Sequence, residues 1–394
     1  MKKMLFYTEN FCEETSKGGL EVATFRIAKA LRESGKWEIY HAFRKKSDGN
    51  VKSIYYDVLK LPAFSKSFEK KLTEFILKND IDVVVNMSRF FRHKSIAKAA
   101  KNSGEKVKVI FMQHFAPGSE MKKPTFKAGF HLLKLNPYNP VYWIRSTIYP
   151  LIKLPRQLRY KNVYRDTYQS SDRIVLLSEG YVSQFCKIAE ISDTSKFIGI
   201  PNIFEPEKKD DSFHNKEKRV LILSRMDEIQ KRLSVALQIW AQIEKDVTLN
   251  DWHLDIVGSG HNKDIVKRMI RRLKLSNVTY HGWQNRVPYL EKSSILLSTS
   301  EYEGLPLSIL EAQAYGVVPI AFNSYESLKD VIIPYENGVL VENFGDIDDF
   351  TNKLKDLMYS MDYREEIRKN AISLANRFSS EKIVSKWIEM LDSL

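Results

Sequence analysis

Short apolar runs alternate with segments of helical periodicity along almost the whole chain. In the first half the order is MLFYT, a helix over 19–33, EIYHAF, a helix over 67–78, DVVVNM, a helix over 94–101, and VKVIFMQ. A second series begins after residue 218: RVLILS, a helix over 233–244, WHLDIVG, a helix over 264–273, VTYHG, SILLSTS, a helix over 306–315, VVPIAF and GVLVEN. Nearly continuous apolar strands separated by helices predict parallel sheets covered on both faces, so the predicted fold class is α/β, with one architecture used twice. Residues 200–219 hold two prolines, many charges and little apolar content, and read as a linker. Past residue 345 the chain reads as helical, and its end places Ile383, Trp387, Ile388 and Leu391 at helical spacing. The predicted organisation is a first domain over 1–203, a second over 204–376, and a terminal helix over 377–394 returning to the first.

Composition narrows the class. A chain of 394 residues suits two domains, and 43% hydrophobic with 28% charged residues excludes a disordered chain. No apolar stretch reaches the roughly 18 residues of a membrane span. Glu9 interrupts the apolar start too early for an export signal. Cys12 and Cys186 are the only cysteines, which leaves no disulfide framework or Cys-x-x-Cys site and points to a reducing compartment.

The charge is unevenly placed. Lys and Arg number 62 against 49 Asp and Glu, a net +13, and residues 119–165 hold ten cations against Glu120 alone. Phe130, Leu132, Leu133, Trp143, Ile144 and Ile148 interleave with them. Binding nucleic acid does not need that aliphatic bulk, whereas an interfacial segment on an anionic membrane does. Lys122, Lys123 and Lys127 are the membrane-binding candidates. The alternative is a pair of ordinary core helices with a solvated basic face.

The strongest chemical signal is STSEYEGLPLSILEAQAYG, 298–316. It reads as a buried strand, a tight turn at Gly304-Leu305-Pro306, and a helix whose first turn tolerates the proline. Amides of Leu307 and Ser308 then point over the strand's carboxyl end, where open parallel sheets bind anions. Glu303 and Glu311 flank the turn, and a polyhydroxylated ligand accounts for carboxylates beside an anion site. Arg225 and Lys231, after the second series' first strand, suit a phosphate. Gly18 and Gly19 after the very first strand also permit close approach of a phosphate, with a plain strand-to-helix turn as the simpler reading.

With Glu303, Gly304, Leu305, Pro306, Leu307, Glu311, Ala312 and Gly316, the chain resembles the family 4 retaining glycosyltransferases and their E-x7-E signature. The resemblance implies the GT-B fold, two Rossmann-like domains facing each other across a cleft, and transfer from a nucleotide-diphosphate sugar such as a UDP-sugar. It assigns Arg225 and Lys231 to the diphosphate, Glu311 to the ribose, Glu303 to the donor sugar, and Gly258, Gly260, Trp283 and Gln284 to the surroundings of the base. Gly304, Leu305, Pro306, Leu307 and Ser308 complete the donor site, with Gly18 and Gly19 across from it. His114, ending VKVIFMQ, falls where the family places a histidine on the donor sugar. Ser88 and Arg89 are acceptor candidates. Ser259 stands where the family usually has an acidic residue. The implied chemistry is retaining and metal-free: two cations and a helix start stabilise the departing diphosphate, no Asp-x-Asp lies beside a strand end, and no cofactor is expected.

The basic segment then suggests a lipid-linked saccharide acceptor in surface polysaccharide assembly, such as capsule or lipopolysaccharide, with the enzyme cytoplasmic and peripheral on the inner face of the plasma membrane. One alternative keeps the donor but makes the acceptor a soluble metabolite or glucan. Another is a nucleotide-sugar or nucleic-acid binding protein without catalysis, which the joint presence of Glu303, Glu311, Arg225 and Lys231 argues against.

Overall fold

The computed structural model describes residues 1–14, 16, 18–45, 54–63, 65–122, 126–206 and 216–394, without the side chains of residues 126, 145, 146 and 149–151. The chain forms two compact units. The first comprises Met1–Gly118, Pro155–Ile203 and Phe378–Leu394, and the second Ser119–Leu154 and Phe204–Arg377.

The first unit is built on a seven-stranded sheet: β1 (Lys2–Asn10), β2 (Trp37–Lys45), β3 (Val58–Lys60), β4 (Val83–Asn86), β5 (Lys108–Gln113), β6 (Arg173–Leu176) and β7 (Phe197–Gly199). Its order is β3-β2-β1-β4-β5-β6-β7, and every pair is parallel. The six strands of the second unit are β8 (Glu217–Leu223), β9 (His253–Val257), β10 (Val278–Gly282), β11 (Ser293–Ser298), β12 (Val318–Phe322) and β13 (Val339–Val341). They run β10-β9-β8-β11-β12-β13, again all parallel. In each sheet the winding reverses beside the unit's first strand, between β1 and β4 and between β8 and β11. Ligands of open α/β sheets bind at the carboxyl ends of such a pair.

Burial explains the sequence pattern. All four residues of β4 and all five of β12 are buried, as strands covered on both faces must be. The helix Gly19–Glu33 buries Ala23, Ile27, Ala28 and Leu31 on one side and packs against the helix Ser380–Asp392, which buries Ile383, Val384, Trp387 and Leu391. Strands β3, β6 and β7 escape the sequence reading because three or four residues carry too little periodicity to stand out. Among the described residues, no helix is long and apolar enough to cross a membrane.

The segment 119–165, expected to lie wholly within the first domain over 1–203, is instead divided between the two units. Its part 119–154 groups with the second unit. The helix Phe126–Leu135 and the start of the helix Pro140–Gln169 send Ala128, Leu132, Leu133, Leu135 and Tyr142 into the core that contains Val220, Leu237, Trp240 and Ile256. Polar bonds reinforce this seat. His131 Nε2 lies 2.8 Å from Glu228 Oε1, and the Asn262 amide donates to the Tyr142 hydroxyl at 2.7 Å.

Candidate functional site

In the second unit the chemistry gathers where β8 and β11 end. The chain leaves β8 at Ser224-Arg225, forms the short helix Glu228–Lys231, and turns at Arg232, whose left-handed φ of 50° starts the helix Leu233–Ile243. The chain leaves β11 through Thr299 to Glu303 and enters the helix Leu307–Ala314. Thr299 Oγ1 donates to the carbonyls of Lys231 and Arg232, at 2.8 and 3.1 Å, and the Glu301 amide donates to the Gln230 carbonyl at 2.8 Å. These bonds stitch the two strand exits together. A small cavity remains between them, lined by Ser224, Lys231, Thr299, Ser300 and Ser308.

Lys231 and Glu303 form a close ion pair there, their side chains only 14% and 12% exposed. The Glu303 carboxylate also accepts from the Gln230 amide and the Ser300 hydroxyl, both at 2.8 Å. Gln230 in turn accepts from Arg225 at 2.8 Å, so Arg225-Gln230-Glu303-Lys231 is one bonded chain. Arg225 is 60% exposed and its guanidinium lies 3.9 Å from the buried Asp227 carboxylate. Arg232 pairs with Glu301, which Lys122 also approaches at 3.7 Å, and the Lys122 ammonium sits over the Tyr302 ring at 4.8 Å. Lys122 is thus bound into the flank of this site, Lys127 is exposed, and Lys123 lies outside the described residues.

The Leu307 helix differs in detail from its expected form. Pro306 stands just before the first helical residue, and the Leu307 amide turns back onto the Leu305 carbonyl at 2.9 Å, so it is not a free donor. Glu311 lies 3.2 Å from the Arg286 guanidinium. Gly258 and Gly260 have a packing reason to be glycine: a Cβ on Gly258, at φ +131°, would collide with the Ser224 carbonyl, and one on Gly260 with the Met226 backbone. That close approach lets the Ser259 carbonyl accept from the Met226 amide at 3.1 Å and holds the turn that bears Arg225. Trp283 is 80% exposed, and Gln284 beside it is exposed as well.

The remaining candidates belong to the first unit. His114 follows β5, and both of its ring nitrogens are shielded from solvent without a partner among the described residues. Burial lowers its pKa to about 4, so the ring is neutral and keeps one donor and one acceptor available. Ser88 follows β4; its amide donates to Asn86 Oδ1 at 2.9 Å while its hydroxyl is buried without a partner among the described residues. Asn86 is held through His93, whose nitrogens lie 3.2 Å from the Asn86 amide and 2.8 Å from the Ser171 hydroxyl. Arg89 is exposed at the start of the helix Phe90–Ser103. Gly18 precedes the helix Gly19–Glu33, and a Cβ on it would meet the Glu21 carboxylate, which also accepts from Asn10 at 2.6 Å; Gly19 has open space.

Sequence reasoning missed Gln230, Ser300 and Arg286. Gln230 and Ser300 are close in sequence to residues it singled out, and their role shows only once the two strand exits meet.

Residues 204–374 match the family described as glycosyl transferases group 1. An uncharacterized glycosyltransferase of Haemophilus influenzae is 29% identical over 220 residues, 55% of this chain and 60% of that protein. A Campylobacter jejuni N-acetyl-D-galactosaminyltransferase, named for a GalNAc-containing diNAcBac-PP-undecaprenol, is 27% identical over 197 residues, 50% of this chain and 54% of that protein. Each match thus spans less than two thirds of the relative. Anabaena HepE in complex with UDP superposes with a TM-score of 0.74 over the whole of both chains at 16% identity, which establishes the common GT-B fold.

Proposed function

We propose, from the match of residues 204–374 to the glycosyl transferases group 1 family, that this chain transfers a sugar from a nucleotide-diphosphate donor to a saccharide acceptor. The observation that carries the reading is the Arg225-Gln230-Glu303-Lys231 chain of bonds at the β8 and β11 exits. A cation pair and a carboxylate at one strand-exit site suit a ligand with both phosphate and hydroxyl groups.

In this reading Arg225 and Lys231 hold the diphosphate and offset the charge that grows on it as the bond from the anomeric carbon to the phosphate oxygen breaks. Glu303 accepts from donor-sugar hydroxyls and Glu311 from the ribose diol, taking them in place of Arg286. The acceptor oxygen bonds to the anomeric carbon on the face the phosphate leaves, its proton passes to the phosphate oxygen, and configuration is retained. Neutral His114 offers a hydrogen bond to the sugar. The positive charge of Arg225 and Lys231 makes the reaction independent of a divalent metal.

The acceptor is a lipid-linked saccharide of surface polysaccharide synthesis, reached at the cytoplasmic face of the membrane. Support comes from the basic, apolar segment 119–165 and from the undecaprenol-linked substrate in the Campylobacter relative's name. The test is a thermal-shift screen of UDP-, GDP- and ADP-sugars, followed by donor turnover with and without excess EDTA. A ligand at 100 times its Kd adds about 2.7 kcal/mol to stability. Stabilisation by one nucleotide class and turnover that survives EDTA are expected. No stabilisation by any donor would overturn the function, and metal-restorable loss would overturn the metal-free mechanism.

A further inference from the structure

The helix Pro140–Gln169 has an apolar side that the second unit does not cover. Tyr142 is buried, yet Val141, Ile144, Ile148 and Ile152, spaced three or four apart and so on one helical face, are all exposed, Ile144 at 56%. Trp143 is 56% exposed while its indole N–H is satisfied by the Pro137 carbonyl at 2.9 Å. An exposed aromatic whose only polar atom is already bonded loses nothing on leaving water.

The helix Lys263–Leu273 adjoins the hairpin that the helix Phe126–Leu135 forms with the start of the helix Pro140–Gln169. Asn262, just before it, bonds Tyr142, and Arg268 stacks over the Tyr138 ring at 5.3 Å. Ile265, Val266 and Met269 form its buried side. Lys263, Lys267, Arg271 and Lys274, spaced four, four and three apart, form an exposed stripe, with Arg268 and Arg272 beside it and Asp264 the sole acid over 263–274. The sequence pattern in the first half of the chain draws attention to Lys122, Lys123 and Lys127; the fold brings a second and denser set of cations to the same hairpin from over a hundred residues away.

We propose that the apolar stripe of residues 141–152 and the cationic stripe of residues 263–274 form one composite docking surface for an anionic lipid bilayer. The apolar residues enter the acyl boundary and the cations meet the head groups. Charge complementarity selects this occupant: an apolar face destined for a second copy of the chain would gain nothing from an adjacent row of like charges, which repel across a two-fold interface. The surface belongs to the unit that carries Arg225, Lys231 and Glu303, and Lys122, from the same segment as the hairpin, lies against Glu301. The purpose of the surface rests on the glycosyltransferase reading, but its existence does not.

The experiment is co-sedimentation of the full chain with phosphatidylglycerol-containing vesicles and with pure phosphatidylcholine vesicles, at 0.1 M and 1 M salt, where the Debye length falls from about 10 to about 3 Å. Two variants are compared with the parent: Lys263→Ala/Lys267→Ala/Arg271→Ala, and Ile144→Ser/Ile148→Ser. Calorimetry with UDP, GDP and ADP, together with light scattering, reports on each protein. The parent should prefer the anionic vesicles and lose that preference at high salt. The charge variant should partition about a hundredfold more weakly, since each cation near an anionic surface contributes roughly fivefold. The serine variant should bind more weakly at both salt concentrations, and both variants should keep the parent's affinity for the nucleotide diphosphate it binds. No preference for anionic vesicles in the parent, or parental partition in the charge variant, overturns the proposal. So does a dimer that the serine variant dissociates. Vesicle binding by a parent that binds no nucleotide would uphold the surface while removing the enzymatic reading.

Discussion

At the residue scale, the same bonded chain has members with opposite surroundings. Arg225 is largely exposed, so Arg225→Ala should leave the melting temperature within about 1 °C of the parent while lowering turnover at saturating donor by roughly 100-fold, the cost typical of removing one stabiliser of developing charge. Lys231 is nearly dry, and Lys231→Ala removes the cation paired with the Glu303 carboxylate, which the Gln230 amide and the Ser300 hydroxyl also contact. That variant should lose both turnover and a few kcal/mol of stability, as breaking a largely buried pair does. Purified proteins assayed for donor turnover and thermal melting check the contrast; equal melting of the two variants would contradict it. The buried histidines make a separate statement. Burial lowers His41 and His93 to about 3 and His114 to about 4, below the ordinary value near 6.5. The unfolded chain therefore binds more protons between those values, so their contribution to stability is full above pH 6.5 and is lost as the pH falls. Each should remove on the order of 1 kcal/mol per pH unit in that window, and a melting temperature that stays flat from pH 7.5 to 5 would refute this. For the same reason His114 should leave no inflection near pH 6.5 in kcat/KM.

At the scale of elements, the hairpin around residues 126–142 acts as part of the second unit's core. Leu132→Ala should cost about 2–5 kcal/mol, the range for emptying a packed leucine site, whereas Tyr142→Phe removes one hydroxyl bond to Asn262 and should cost about 1 kcal/mol. Denaturant unfolding orders the two, and a near-neutral Leu132→Ala would mean that the hairpin does not pack as observed. The hairpin also braces the segment that bears Lys231. His131 and the Ser234 hydroxyl, at 2.8 and 2.6 Å, hold the buried Glu228 carboxylate, and the Glu228 amide donates to Asn262 at 3.0 Å. Glu228 opens the four-residue helix that ends in Lys231, so these bonds fix where the Lys231 ammonium can reach. None of this was legible in the sequence, where His131 is one histidine in a basic stretch and Glu228 one acid in a loop.

For the whole molecule, the second unit is discontinuous in sequence. A fragment covering only 204–377 lacks the side chains of Leu132, Leu133, Leu135 and Tyr142 and exposes the surface they cover. It should bind a hydrophobic dye and melt lower than the same fragment supplied with residues 119–154 through a linker, or fail to stay soluble, because uncovered apolar surface promotes association. Equal dye binding and melting of the two fragments would show that the hairpin is dispensable to the unit. The match to a family covering 204–374 is compatible with this, since a family description follows contiguous sequence and the hairpin lies elsewhere in the chain.

What the sequence determined by itself is whatever depends on neighbours along the chain. Continuous apolar runs specify buried parallel strands, helical spacing specifies amphipathic helices, and their alternation specifies two parallel sheets. Glu303 to Leu307 had to fall at a strand-to-helix turn, and Arg225 and Lys231 had to follow β8, because each motif sits at the end of a run that could form only that element. Tertiary structure alone decided which groups meet. Gln230 and Glu303 are 73 residues apart, and Tyr142 and Asn262 are 120 apart. It also decided what covers each apolar face. Leu132 and Ile144 carry the same signal in the sequence, yet one is buried in a protein core and the other is exposed. The physical reason is that side-chain periodicity fixes which side of a helix leaves water, while the surface that receives it is set by chain segments the periodicity does not see.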